Sequence, residues 1–191
     1  LTGTNYIAAG TNLKLYIING TDPVDITPIR YTSDPGDATF VATDGSSIIQ
    51  VTDSINGVFL NDFVTFSSAD SLGGNITDTV LNQEYEVATV IDANTYTIDV
   101  GVVANSSDTG DGGASTIAAY QIVTGLDTVI LGSGWGAGTW SRGAWSSAAD
   151  VTLAGSQLRL WSMDNFGEDL IANVRGGGIF YWDISGGVGT R

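Results

Sequence analysis

The stretch LRLWSMDNFGEDLIANVRGGGIFYWDI, residues 158–184, decides the fold of this 191-residue chain. Its runs 168–174 and 179–184 are rich in β-branched, aliphatic and aromatic side chains, which favour a pleated and packed strand. The three consecutive glycines 176–178 lie between the runs and can supply the positive φ of a tight connection without a Cβ clash. The stretch therefore predicts two antiparallel strands joined as a hairpin.

The remaining chain has the pattern of further antiparallel strands. Asn19, Gly20 and Pro23 form a turn cluster between a strand at 13–18 and a return strand at 24–29. Other strands are predicted at 47–52, 62–66, 84–91, 95–100 and 118–123. Because no segment has a sustained helical period, we expect an all-β, antiparallel protein with little helix.

Alternation along the strands predicts which side chains face the core. Tyr96, Ile98 and Val100 alternate with polar residues, which indicates a strand buried on one face. In the strand at 62–66, Phe63 and Phe66 are expected to share one face.

The change of composition along the chain predicts four segments. Residues 1–45 are a first blade segment of a propeller-like fold, and residues 46–104 are an inserted small β-barrel module. The polar residues 105–115, which include no large apolar side chain, form the exit linker. Residues 116–191 are the second blade segment, and both ends of the sequence look cut from a longer polypeptide.

Composition narrows the chemistry that this chain can perform. It has 26 glycines and 3 prolines, and 42% of its residues are hydrophobic, which suits a turn-rich β protein better than a disordered chain. With no cysteine and no histidine, it lacks disulfides, thiolate nucleophiles and the usual general base. A formal charge of −15 repels phosphate backbones. We therefore predict no enzyme, no catalytic residue, no cofactor, no metal site and no direct binding of nucleic acid.

The tryptophans suggest an interface. Trp135, Trp140 and Trp145 follow each other at five-residue intervals in a glycine-rich run. Flat aromatic side chains suit the stacking of sugar rings, but they also fill cores and subunit contacts, which are enriched in them. The candidates for a subunit interface are Trp135, Trp140, Trp145, Trp161, Phe180 and Trp182.

Two groups of acidic residues suggest other chemistry. Asp164, Glu168 and Asp169 lie close together in the sequence, and a pair of carboxylates is what glycoside hydrolysis requires. Since proximity in sequence does not fix a carboxyl separation, we favour loop capping over catalysis.

A second group is Asn105, Asp108 and Asp111, whose three-residue spacing in a glycine-rich loop is compatible with calcium. The order differs from that of a helix-loop-helix calcium site, so a solvated loop is favoured. The glycine-rich run 132–136 lacks the Lys-Ser/Thr of a phosphate-binding loop and is set aside.

Residues 48–100 carry a resemblance to a known module. The runs DFVTF at 62–66, LN at 81–82 with Tyr85, and DANTYTI at 92–98 resemble the small β-barrel module of tailed-phage virion proteins. That module is often likened to the catalytic-half domain of ubiquitin-activating enzymes, a likeness of fold alone. The His-Gly turn of the module is replaced here by Asn56-Gly57.

The flanking runs resemble large tail or head-to-tail structural proteins of short-tailed phages, particularly those of marine hosts. The runs are LYIING at 15–20, VDITPI at 24–29, GWGAGTWSRGAW at 134–145 and, most specifically, DNFGEDL and GGIFYWD within 164–183. This resemblance implies propeller-like blades with small inserted domains.

The resemblance also implies a function. We expect a non-enzymatic component of a phage virion, in the tail or head-to-tail region, that forms a ring or tube. Its partners would be copies of itself and other virion proteins, and viral DNA would pass nearby without specific binding. Two alternatives stay open: a receptor- or glycan-binding tail module, and a polysaccharide-degrading enzyme.

Overall fold

The computed structural model describes residues 5–54, 56–122 and 160–191, and throughout these residues the fold is all-β with antiparallel strand pairs. This confirms the predicted fold class. The strands are β1 (Tyr6–Gly10), β2 (Leu15–Asn19), β3 (Asp22–Asp25), β4 (Ile29–Thr32), β5 (Thr39–Ala42), β6 (Ile48–Thr52), β7 (Phe63–Ser67), β8 (Glu84–Val90), β9 (Thr95–Asp99), β10 (Ile117–Gln121), β11 (Trp161–Phe166), β12 (Asp169–Val174) and β13 (Ile179–Trp182). Helix in the described residues is limited to α1 (Asp78–Leu81) and one 3-10 turn (Ile184–Gly186).

The chain divides into two compact units. The terminal unit comprises Leu1–Thr27 with Val123–Arg191, and the central unit comprises Pro28–Ile122. In the part of the chain that the structure describes, no helix is long and apolar enough to cross a membrane.

The terminal unit contains the predicted hairpin. β12 and β13 pair antiparallel, with Leu170 opposite Trp182 and Asn173 opposite Ile179. The connecting glycines adopt a turn in which Gly176 has a φ of 72° and the Gly177 amide donates to the Val174 carbonyl at 2.8 Å. β11 pairs with the other side of β12, so the hairpin is part of a three-stranded sheet in the order β11-β12-β13.

The N-terminal strands of the terminal unit form a second three-stranded sheet, ordered β1-β2-β3. The turn predicted at Asn19 and Gly20 joins β2 to β3, but the return strand ends at Asp25 and not at residue 29. Leu15 and Ile17 of this sheet share a buried core with Leu170, Ala172 and Trp182 of the hairpin sheet. The described residues thus give two three-stranded sheets, and the propeller-like arrangement stays a prediction.

The central unit is one seven-stranded sheet in the order β4-β10-β7-β8-β9-β6-β5. Its end strands β4 and β5 do not pair with each other, so the sheet that contains the predicted small β-barrel module at 46–104 is not a closed barrel. Strand β8 explains how the sheet folds over its own core. Its first half pairs with β7, its second half pairs with β9, and the register shifts between Val87 and Thr89. A bulge of this kind bends a strand and increases its twist.

The central unit includes more of the chain than the predicted insert at 46–104. It also takes in β4 and β5 before that segment and β10 after it, all of them hydrogen-bonded into the same sheet. The predicted linker at 105–115 belongs to this unit as well, because the Phe40 amide donates to the Asp111 carbonyl and the Gly110 amide to the Leu72 carbonyl.

The core of the central unit follows the predicted alternation in one strand and departs from it in another. Tyr96, Ile98 and Val100 are all buried, as expected. In β7, however, Val64 and Phe66 are the buried residues, while Phe63 is only half-buried. The prediction that both phenylalanines share a face is wrong, because residues three positions apart point to opposite faces of a strand.

Candidate functional site

The hairpin sheet of the terminal unit has two chemically different faces. Its inner face carries Leu170, Ala172 and Trp182, which are buried. The outer face carries the exposed side chains of Phe166 and Tyr181, which are 62% and 56% exposed and meet edge to face at 6.4 Å between ring centroids. Exposed large apolar groups that touch each other form a patch, which is less common on a monomer than single exposed residues.

Strand β13 is also an uncharged edge. It pairs only with β12 in the described part of the chain, and its sequence Ile179–Trp182 contains no charged residue and no proline. Ile179 is 75% exposed on this strand. Soluble proteins usually protect such edges with charges, proline or bulges, because an unprotected edge pairs with another strand.

The predicted interface residues lie on the inner side of this sheet or outside the described residues. Trp182 is only 8% exposed and belongs to the core, and Phe180 is half-buried. Trp161 is half-buried against the same core, and its indole N–H donates to the Thr11 carbonyl at 2.9 Å. The remaining candidates, Trp135, Trp140 and Trp145, lie outside the described residues, as does the glycine-rich run 132–136.

A cleft opens beside this core within the terminal unit, with a volume of about 480 Å³. Its apolar part comes from buried Ile17, Leu170 and Trp182 and from half-buried Tyr6. The Tyr6 ring meets the Trp182 ring edge to face at 6.3 Å. The polar part comes from four residues. They are Asn5 before β1, Asn165 near the end of β11, Glu168 in the turn after β11, and Asp169 at the start of β12.

Two of the three candidate carboxylates thus reach the cleft, and they have different surroundings. Asp169 accepts hydrogen bonds from the Tyr181 hydroxyl and, at 3.2 Å, from the Ile184 amide. Glu168 is exposed. Asp164 does not line the cleft, and its carboxylate accepts from the Asn165 amide at 2.8 Å, which is the loop capping that was expected.

The Asp169 carboxylate also changes the pKa of its hydrogen-bond partner Tyr181. The hydrogen bond from the Tyr181 hydroxyl to Asp169 raises the pKa of Tyr181 to about 12, with smaller contributions from desolvation and from the charges of Asp169 and Asp183. Removing the hydroxyl proton would leave a phenolate beside a carboxylate, which explains the direction. Tyr181 therefore holds Asp169 in one orientation throughout the neutral pH range.

In the central unit, the structure assigns a different role to the candidate calcium loop. Asp108 is 5% exposed, so the prediction of a solvated loop is wrong at this residue. Its carboxylate accepts from the amides of Gly74 at 2.9 Å, Asn75 at 3.1 Å, Ile76 at 2.8 Å and Asn105 at 2.7 Å.

This arrangement suits an anion. Burial raises the pKa of Asp108, but the four backbone donors lower it by more, so the net pKa lies below its usual range. The Asn105 side chain accepts from the Ser107 amide and the Asp111 side chain from the Gly113 amide. Because these oxygens already bind N–H groups, the calcium alternative receives no support from the geometry.

A buried acid in the central unit was missed by sequence reasoning. Asp53 is fully buried and accepts from the Tyr120 hydroxyl at 2.6 Å, and the Tyr120 and Tyr96 hydroxyls are 3.0 Å apart. Because Tyr120 uses its one proton on Asp53, Tyr96 must donate to Tyr120. Burial raises the pKa of Asp53, the bond from Tyr120 opposes this, and the charge of Asp37 adds to the rise. The partners lie 24 and 67 residues apart, so no local pattern could have revealed the chain of hydroxyls.

Comparison with known proteins gives limited information. No family model matches the chain, and no curated protein matches it. Among solved structures the chain is similar to a phage phi92 endosialidase, with a TM-score of 0.40 and 19% sequence identity. The likeness covers 62% of this chain and 18% of the endosialidase, and it concerns the all-β fold alone. The resemblance of residues 46–104 to the ubiquitin-activating-enzyme module is not shown and stays a prediction.

One expectation is corrected by this comparison. The chain was predicted not to be an enzyme, and the structural neighbour is by its name an endosialidase. The prediction that the chain has no enzymatic activity is therefore contradicted and is not retained.

Proposed function

We propose that this chain is a structural component of a phage virion, in the tail or head-to-tail region, and that copies of it meet through the edge strand β13 and the outer face of the hairpin sheet. The observation that carries the proposal is an uncharged edge strand that pairs on one side only within the described residues, with Ile179 exposed, next to the exposed pair Phe166 and Tyr181. The sequence resemblance of residues 164–183 to phage tail proteins supports the location in the virion.

The edge favours a second copy of this chain as its partner. Two identical antiparallel edges satisfy each other's backbone groups about a two-fold axis, so one patch serves both sides of the contact. The exposed Ile179 and Tyr181 side chains would then lose water together, and burial of apolar area drives association. This two-fold contact closes a dimer, and a ring or tube of such dimers would need a second, heterologous contact through another surface of the chain.

Variants of the full chain test this assembly. A lysine on an edge strand is a common natural block to edge pairing, so Ile179→Lys combined with Phe166→Lys should lower the mass of the assembly in sedimentation. The matched control is Val41→Lys, because Val41 lies on the end strand β5 of the central unit and is 55% exposed. Circular dichroism checks that each variant keeps its β structure.

The expected result is dissociation in the double variant and unchanged mass in the control. A wild-type chain that is monomeric at all concentrations, or an equal loss of mass in the Val41→Lys control, would contradict the proposed contact.

The charge supports a second part of the proposal, which concerns DNA. An acidic surface in a virion would keep the genome from adhering as it passes, since 21 acidic residues face six basic ones. Fluorescence anisotropy with duplex DNA at low salt should show no binding. A salt-sensitive affinity for DNA would refute this part and leave the assembly contact untouched.

A further inference from the structure

The cleft of the terminal unit displays polar side chains that no other group uses. Asn5, Asn165 and Glu168 line it, and their side chains make no hydrogen bond to other residues in the described part of the chain. Two amides and a carboxylate at one rim supply both donors and acceptors, which is the combination that hydroxyl groups need.

The base of the cleft is apolar and ordered by the core. Ile17, Leu170 and Trp182 belong to the buried cluster of the terminal unit, and Tyr6 packs against that cluster. An apolar base beneath a small number of convergent polar groups is the usual composition of a small-molecule site, and 480 Å³ falls within the range of about 300–1,000 Å³ for such sites. A sugar ring matches this combination, since it has an apolar C–H face and a rim of hydroxyls.

One residue of the rim, Asp169, is held in place before a ligand arrives. It accepts from the Tyr181 hydroxyl and the Ile184 amide, and it follows Glu168 directly in the chain. A side chain that is fixed in advance lowers the ordering cost of binding.

The charge of the cleft selects among sugars. Glu168 and Asp169 are the acidic residues among the described residues that line it, and none of these is a lysine or arginine. An anionic sugar would bring a third negative charge beside these two carboxylates, and like charges at short range repel. A neutral sugar instead donates its hydroxyl protons to the carboxylates in charge-assisted hydrogen bonds.

We infer that the cleft between Tyr6, Trp182 and the rim of Asn165, Glu168 and Asp169 binds a neutral saccharide. The apolar base of this site lies on the inner side of the hairpin sheet, and the site meets the assembly contact at one hydrogen bond, from the Tyr181 hydroxyl to Asp169. The tryptophan serves as part of a buried base, and the rim determines which sugar fits.

Isothermal titration of the full chain with a panel of neutral oligosaccharides, built from glucose, galactose, mannose or N-acetylglucosamine, tests the inference. The comparison ligand is an oligosaccharide that contains glucuronate. At least one neutral sugar should bind saturably with an affinity in the range of about 1 mM or better, and the glucuronate sugar should bind more weakly.

Two rim substitutions then locate the site. Glu168→Ala combined with Asn165→Ala removes exposed side chains and should weaken binding by about tenfold or more. The matched control is Glu86→Ala, an exposed glutamate on β8 of the central unit, which should bind as the wild type does. Sedimentation of the same variants should show unchanged assembly, which separates this result from the assembly proposal.

Three outcomes would overturn the inference. They are the absence of saturable binding across the neutral panel, wild-type affinity in the double variant, and equal or tighter binding of the glucuronate sugar.

Discussion

The two units differ in where their polar groups lie. In the central unit the Asp108 carboxylate is buried and bound by four backbone amides, and one oxygen of buried Asp53 accepts from the Tyr120 hydroxyl while the other has no partner in the described residues. In the terminal unit Asn165 and Glu168 line an open cleft without a partner in the described residues, and an apolar face is left exposed. Buried polar groups are closed off from other molecules, whereas exposed groups on an ordered frame are available to ligands and partners.

Arg30 shows how completely the central unit uses its charges. Its guanidinium donates to Asp62 at 2.8 Å, to the Gln121 carbonyl at 3.0 Å and to the Gly57 carbonyl at 3.0 Å. It also lies 5.8 Å from the centre of the Tyr120 ring. One arginine therefore joins β4 and β10 to the loop before β7.

The largest expected effect is at Asp108. Asp108→Ala leaves the amides of Gly74, Asn75, Ile76 and Asn105 without their acceptor, and we expect the free energy of unfolding to fall by about 3 kcal/mol. Urea unfolding measures the change, and hydrogen exchange at the four amides locates it.

The control for this substitution is Asp111→Ala, in which an exposed side chain loses a single bond from the Gly113 amide. It should cost no more than about 1 kcal/mol. Equal losses in the two variants would show that the amides around Asp108 are satisfied in some other way.

A smaller effect is expected at Tyr120. Tyr120→Phe removes the donor to Asp53 and leaves a buried carboxylate unpaired, which should cost about 2 kcal/mol. Tyr96→Phe removes only the bond between the two hydroxyls and should cost about 1 kcal/mol. If Tyr96→Phe proves the more damaging variant in urea unfolding, the assigned direction of the hydroxyl chain is wrong.

The buried Asp53 should also make the stability of the chain depend on pH. Because burial raises the pKa of Asp53 in the folded state, its contribution to stability is present below the ordinary pKa of 3.8 and is lost as the pH rises through the folded value. Asp53→Asn should therefore become more stable relative to the wild type as the pH rises from about 3 to 7.

Urea midpoints at several pH values measure this trend, with exposed Asp44→Asn as the control. A difference between wild type and Asp53→Asn that stays constant with pH would show that Asp53 titrates normally.

The smallest effect is expected in the terminal unit, where the groups are exposed. Asp169→Asn removes the carboxylate beside Tyr181, so the pKa of Tyr181 should fall from about 12 towards the ordinary 10.0. Carbon NMR of the tyrosine ring follows the titration. A Tyr181 that already titrates near its ordinary pKa in the wild type would exclude the hydrogen bond that fixes the cleft rim.

The parts of the fold that could be predicted from sequence depend on local chemistry. Three local patterns predicted features that the structure has: a turn at glycines 176–178, a buried strand face with Tyr96 and Ile98, and little helix. Turns and strand faces are set by neighbouring residues, which is why these patterns were sufficient. The bulge at Val87 and Thr89, which bends the sheet without closing it into a barrel, leaves no comparable signal.

The candidate sites could be predicted less well, because they depend on distant pairings. Asp108 binds amides 32 to 34 residues earlier in the chain, so the same residue that looked like a calcium ligand is a structural anion. Glu168 and Asp169 were noticed as a pair, but the cleft also needs Asn5 and Tyr6 from the other end of the chain. Trp182 is buried because its face of the hairpin packs against the second sheet, and the sequence of the hairpin alone does not reveal that second sheet.

A photoreactive amino acid placed at position 179 tests most directly whether the terminal unit is where copies of this chain meet. Irradiation of the assembled wild-type background should give dimers whose cross-linked peptides come from residues 161–182 of a second copy. The same amino acid at position 41, on the exposed end strand of the central unit, should give few dimers. Dimers formed equally from both positions, or cross-links from position 179 that stay within one chain, would contradict the proposed contact.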